Sequence, residues 1–133
     1  MTYYLDSNVL IYFLRGKSES IQKALQNQSP QNIKLPSVVK AELLFGAHKS
    51  QNPRKALEIV EDTISPYEVI PFDNAASGVY GRIRAELEAE GKIIGANDLI
   101  IAATVLSRGG TLVTNNTKEF ERIKGLQLEN WSK

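Results

Sequence analysis

The chain has 133 residues, 42% hydrophobic and 23% charged, with no cysteine, one histidine and a formal net charge of +1. That length suits a single domain, residues 1–133, whose core needs no covalent staple. The missing cysteines exclude disulfides, thiol nucleophiles and thiolate metal sites, which fits a reducing cytoplasm and leaves any metal to oxygen ligands or to His48.

No apolar run approaches the length of a membrane span. Met1 to Leu14 lacks the basic flank and the small-residue cleavage site of a signal peptide. Tyr3 to Leu5 reads as a short strand, followed by Asp6 and then a helix over Val9 to Leu14 that Arg15 and Gly16 stop. A second helix starts at Ser20, with Ile21, Ala24 and Leu25 at helical spacing. Asn27 to Asn32 reads as loop and Ile33 to Leu35 as a strand. Pro36 and Ser37 then end the strand and cap a helix over Val38 to Ala47. Asn52 and Pro53 give a cap and a proline at the first helical position for a helix carrying Leu57, Val60 and Ile64. Tyr67 to Ile70 is the third strand.

Asp73 caps the next predicted helix, whose Ala76, Val79, Ile83 and Leu87 step by three and four until Gly91. Gly95 to Asn97 opens another helix, apolar nearly all round from Leu99 to Leu106, which predicts burial between layers. Gly109 and Gly110 end it. Thr111 to Thr114 reads as a fourth strand, Asn115 to Arg122 as a loop with a short helical turn, and Leu126 to Leu128 as a fifth strand at an edge. Trp131 predicts a tail that packs down. Strands alternating with helices predict an α/β fold: a parallel sheet of four to five short strands covered by helices on both faces. In such sheets ligands bind beyond the strand C-termini, where the helix N-termini also lie.

Acidic residues fall on that edge. Asp6 interrupts an apolar run: either it or Ser7 caps the following helix, or Asp6 belongs to a site and leaves the capping to Ser7 or Asn8. Glu42 has Val38, Val39, Phe45 and Gly46 as its neighbours one turn away, so it borders the apolar stripe of its helix. Asp98 lies in the first turn of the most apolar helix, where the helix dipole alone would favour it. Thr114, Asn115, Asn116 and Glu119 follow the fourth strand, as turn chemistry or as a fourth group of the same site. Spacing alone does not establish that these acids converge. If they do, two charges about 4 Å apart repel by roughly 4 kcal/mol at an effective dielectric near 20, so a proton or a cation must sit among them. An all-oxygen donor set suits Mg²⁺ or Mn²⁺ and metal-assisted phosphodiester hydrolysis.

Four segments carry a family resemblance: Asp6-Ser7-Asn8; Glu42 within Val39-Lys40-Ala41-Glu42-Leu43; Ile94-Gly95-Ala96-Asn97-Asp98-Leu99; and Val113-Thr114-Asn115-Asn116 before Glu119-Phe120. Together, and in this order along nearly the whole chain, they resemble the PIN-domain ribonucleases, and among them the VapC toxins of bacterial toxin–antitoxin systems. The resemblance implies a PIN-like three-layer sandwich and a cytoplasmic endoribonuclease that uses Mg²⁺ or Mn²⁺. It also implies a homodimer restrained by a VapB-like antitoxin, with no membrane partner and with a tRNA among the candidate RNA substrates. Carried over by residue, it makes Asp6 and Asp98 principal metal ligands, Glu42 a third acid acting directly or through water, and Glu119 the fourth catalytic acid. Asn8, Thr114 and Asn116 would orient water, phosphate or carboxylates. Asn116 stands where some relatives place an acid, and Glu119 where Asp is frequent.

Other readings of the same residues are a catalytically silent PIN-like module that binds RNA or a partner, and a phospho-receiver domain. The receiver lacks its acid pair, because Asp6 is flanked by Leu5 and Ser7. Arg15, Lys17, Lys92, Lys118, Arg122 and Lys124 are candidate phosphate contacts, although a charge-balanced surface scatters basic residues similarly. An apolar groove beside the Val9 and Val38 helices is the expected antitoxin surface. His48 is given no role.

Overall fold

The computed structural model describes residues 1–132. Its elements are β1 (Tyr3–Leu5), α1 (Ser7–Leu14), α2 (Glu19–Gln26), a 3₁₀ turn (Pro30–Asn32), β2 (Ile33–Pro36), α3 (Ser37–Lys49), α4 (Pro53–Ile64), β3 (Glu68–Ile70), α5 (Asn74–Ala89), α6 (Ala96–Arg108), β4 (Thr111–Val113), α7 (Thr117–Phe120) and β5 (Gln127–Glu129). All five strands are parallel, in the order β3-β2-β1-β4-β5. From β1 the chain steps outward to β2 and β3, then returns past β1 to β4 and β5. The order therefore reverses between β1 and β4, and at such a reversal neighbouring connections leave on opposite faces and open a crevice.

The sheet is buried because helices pack on it: α3 on β2 and β3, α6 on β2 and β4. Leu5, Leu35, Ile70, Leu112 and Val113 are buried, the pattern of strands covered on both faces. Helix α6 is buried from Ile101 to Val105, as its nearly continuous apolar sequence predicts. Trp131 packs edge-on against Tyr3 at 5.2 Å and holds the C-terminal segment down. At Gly110, φ is +130° and a Cβ would stand 2.9 Å from both the Thr2 carbonyl oxygen and Tyr4 Cε1. Only glycine fits that approach of α6's exit to the N-terminal segment.

The differences from the sequence reading lie at element ends. Helix α1 starts at Ser7, two residues before Val9, because Asp6 is itself the N-cap. Ser18, not Ser20, caps α2, its Oγ accepting from Ile21 N at 3.2 Å. The Asn27–Asn32 loop contains a 3₁₀ turn set by Pro30. Ser37 is the first residue of α3 and makes no side-chain cap bond. Strand β5 lies one residue later than expected, because pairing with β4 puts Leu128 opposite Leu112.

Candidate active site

Strand register brings the first two groups of the site together. Leu5 pairs with Val113, and Asp6 N donates to the Val113 carbonyl at 3.0 Å, so Asp6 and Thr114 leave the paired strands side by side at the reversal point. Asp6 is only 4% exposed, and both of its carboxylate oxygens are used. Oδ1 accepts from Ser7 N at 2.7 Å, and Oδ2 accepts from Thr114 Oγ1 at 2.8 Å. Cap and buried anchor are thus the same residue, not alternatives.

Helix α3 supplies Glu42 from its second turn. Ser7 Oγ donates to Glu42 Oε1 at 2.7 Å, which ties the start of α1 to α3 across 35 positions of sequence. Glu119 comes from α7, where Asn116 Nδ2 donates to its Oε2 at 2.8 Å. Asn116 N donates to Thr114 Oγ1 at 3.0 Å, so one hydroxyl links the α7 turn to Asp6. Asp98 sits in the first turn of α6 and is half-buried.

The electrostatics couple these acids. Burial pushes the Asp6 carboxyl above its ordinary value. The bonds from Thr114 and Ser7 oppose that shift, and the charges of Glu42 and Glu119 add to it. Asp98 is pushed up to about 7, first by burial, then by a hydrogen bond shared with the Glu119 carboxylate, then by the charges of Asp6, Glu119 and Glu42. Asp98 therefore responds to all three of the other acids.

A hard divalent cation fits this donor set, which consists of carboxylates, hydroxyls and amides; His48 is exposed and remains outside it. The Asn115 amide beside Thr114 is buried, with neither polar atom paired within the described chain, which leaves a donor and an acceptor for a non-protein partner. Among the described residues, no three His, Asp or Glu side chains are grouped closely enough to ligate one ion together. Mg²⁺ is usually held by one or two carboxylates and keeps its other positions for water and phosphate, so a looser array is compatible with it.

Of the residues singled out from sequence, Asp6, Glu42, Asp98, Glu119, Thr114 and Asn116 are brought into one network. Asn8 is not: it is exposed and makes no side-chain hydrogen bond among the described residues. Its neighbour Ser7 makes the contact to Glu42 instead. Ser7 had only its place beside Asp6 in the Asp6-Ser7-Asn8 segment as a sequence signal for that role, and Asn115 only its place in the Thr114–Asn116 run. Asp73 is a cap, accepting from Ala76 N at 3.0 Å and facing Arg108 at 3.2 Å. Among the basic residues, Lys92 pairs with Glu90, and Arg122 donates to the Ile93 carbonyl. No described helix is long and apolar enough to cross a membrane.

The PIN domain model matches residues 3–126. The chain is 39% identical over 132 residues to the tRNA(fMet)-specific endonuclease VapC of Shigella flexneri, covering 99% of each chain. It is 40% identical to the ribonuclease VapC2 of Rickettsia felis, over the whole of both. It also superposes with a TM-score of 0.93 on a chain from a DNA-bound VapBC of Salmonella typhimurium, at 39% identity and 98% coverage of each. A family model matched over nearly the whole chain, and relatives matched from end to end, place this chain in the PIN-domain family.

Proposed function

We propose that residues 1–133 form a single PIN domain that acts as a divalent-metal-dependent endoribonuclease toxin, restrained by a cognate antitoxin. The observation that carries this reading is the convergence of Asp6, Glu42, Asp98 and Glu119 at the sheet reversal, where Asp98 is pushed up to about 7 and a proton or a cation must offset the clustered charge. Mg²⁺ or Mn²⁺ would be held by Asp6 and Asp98, with Glu42 joining directly or through water. When bound, the ion supplies Lewis acidity that activates water and offsets charge on the scissile phosphate.

The chain's own residues provide the positioning. Thr114 and Ser7 N fix both oxygens of Asp6, Ser7 Oγ aims Glu42, and Asn116 holds Glu119. Outer partners of this kind set carboxylate orientation, and their loss typically costs ten- to a hundredfold in affinity or activity. RNA is the substrate class, as it is for the named ribonuclease relatives, and a tRNA is the first to test.

The antitoxin reading is supported by a groove of about 290 Å³ between α1, α3 and α4. Ile11, Leu14, Leu43, Ala56 and Ile59 line it together with Glu42 and Arg15. An amphipathic helix would lay its apolar face in such a groove, and a basic side chain on it could reach Glu42. We assign the protein to the cytoplasm as a homodimer, following the family.

Purified protein incubated with unfractionated tRNA and Mg²⁺ or Mn²⁺ should cut at defined positions. Asp6→Asn and Asp98→Asn should each abolish cutting without unfolding the protein. If both variants cut as well as wild type, the assignment is wrong.

A further inference from the structure

Phe45 is 63% exposed, although it belongs to the helix that supplies Glu42. At about 100° per residue, it lies roughly 60° to one side of Glu42 around the α3 axis, with Leu43 and Gly46 on the other. Those two residues line the groove described above and Phe45 does not, so this ring lies outside that groove, one helical turn along α3 from Glu42. Lys49, one turn further along α3, places its ammonium 5.1 Å from the ring centroid. A bare aromatic face with a cation against it, one helical turn from a carboxylate that borders the cut, is the combination that binds unpaired nucleic acid. The ring stacks on a base and the cation meets the adjoining phosphate.

We infer that Phe45, backed by Lys49, is a stacking platform for an unpaired RNA base next to the scissile phosphate. This rests on the endoribonuclease reading of the same site and adds a substrate-positioning residue to it. Stacking is tolerant of base identity, so Phe45 fixes where the strand lies, while the choice of sequence belongs to other contacts. The requirement it imposes is an unstacked nucleotide beside the cut, as found in loops and bulges. A second copy of the chain is the competing occupant of this face.

The test begins by mapping the cut that wild-type protein makes in unfractionated tRNA with Mn²⁺. An oligoribonucleotide carrying that cut is then prepared with each flanking base in turn replaced by an abasic unit. Phe45→Leu, which keeps bulk and apolar character but removes the π face, should raise KM about tenfold with less change in kcat, and Phe45→Trp should restore it. One abasic position should raise KM by a similar factor for wild type and add nothing further for Phe45→Leu. An unchanged KM for Phe45→Leu, or abasic penalties equal in both proteins, overturns the inference while leaving the nuclease reading intact. So does a change of oligomeric state in Phe45→Leu by sedimentation, which would assign the ring to a contact between copies. Absence of cutting by wild type removes the nuclease reading and this inference with it.

Discussion

Thr114 Oγ1 donates to Asp6 Oδ2 at 2.8 Å, joining residues 108 positions apart at the ends of two paired strands. The hydroxyl is fully buried and also accepts from Asn116 N, so it serves the carboxylate and the α7 turn at once. Thr114→Val should therefore destabilise the fold by about 1–3 kcal/mol, because it leaves a buried carboxylate oxygen without its donor. Thr114→Ser should recover most of that loss. Urea unfolding of the three proteins, alongside cleavage rates, measures both effects.

Ser7 acts on a different carboxylate. Ser7→Ala should leave Glu42 free to rotate and lower kcat by roughly ten- to a hundredfold, whereas Ser7→Thr should stay near wild type. Asn8→Ala should do much less, since Asn8 faces solvent. Single-turnover cleavage of one defined RNA by the three variants provides the comparison.

Asp98 makes metal-free stability depend on pH. Its folded value, about 7, lies above the ordinary 3.8, so the folded state binds the proton more tightly than the unfolded chain does. The resulting stabilisation is complete below the unfolded value and is lost as pH rises through the folded one. In chelator, Tm should fall between about pH 4 and 7, and Asp98→Asn should flatten that slope. Mn²⁺ should raise Tm more at pH 8 than at pH 5.5, because protons and metal compete for the same carboxylates. A Tm that does not respond to Mn²⁺ at either pH would favour the catalytically silent module.

Gly110→Ala should destabilise the chain by about 2–3 kcal/mol, combining a left-handed backbone with a clash against Thr2 and Tyr4. Gly125→Ala shares a positive φ, +86°, but its Cβ would enter open space, so about 1 kcal/mol is expected. Denaturant midpoints of the pair separate steric from conformational cost.

Ile59 is 46% exposed in the groove between α1, α3 and α4. Ile59→Asp should weaken antitoxin binding at least tenfold by placing a charge where an apolar helix face must dock. RNA cleavage in the presence of antitoxin, titrated for both proteins, reports the change.

The acids were legible because each stands at the end or the first turns of an element, and the alternation of elements predicts which edge those ends share. The sheet order was not legible: strands of three or four residues carry too little side-chain pattern to choose their neighbours. Which small polar residue touches which acid was equally hidden. Ser7 and Asn8 are adjacent hydrogen-bonding residues, and only the roughly 100° turn between them sends one to Glu42 and the other to solvent. Asp6 could not be divided between cap and anchor from sequence, because it is both. Nor does spacing alone place the Phe45 ring: α3 turns Val39, Leu43 and Ala47 into the core and leaves Phe45 exposed.

The network that fixes Asp6 has a consequence for how the protein is made. Its parts lie far apart along the chain, and β4, α7 and the Glu129 carbonyl that receives Thr114 N at 3.0 Å are translated more than a hundred residues after Asp6. A ribosome that has made only the first hundred or so residues carries Asp6, Glu42 and Asp98 with no Thr114 to lock the first and no Glu119 beside the last. The acid network therefore closes only after β4 and α7 have been made.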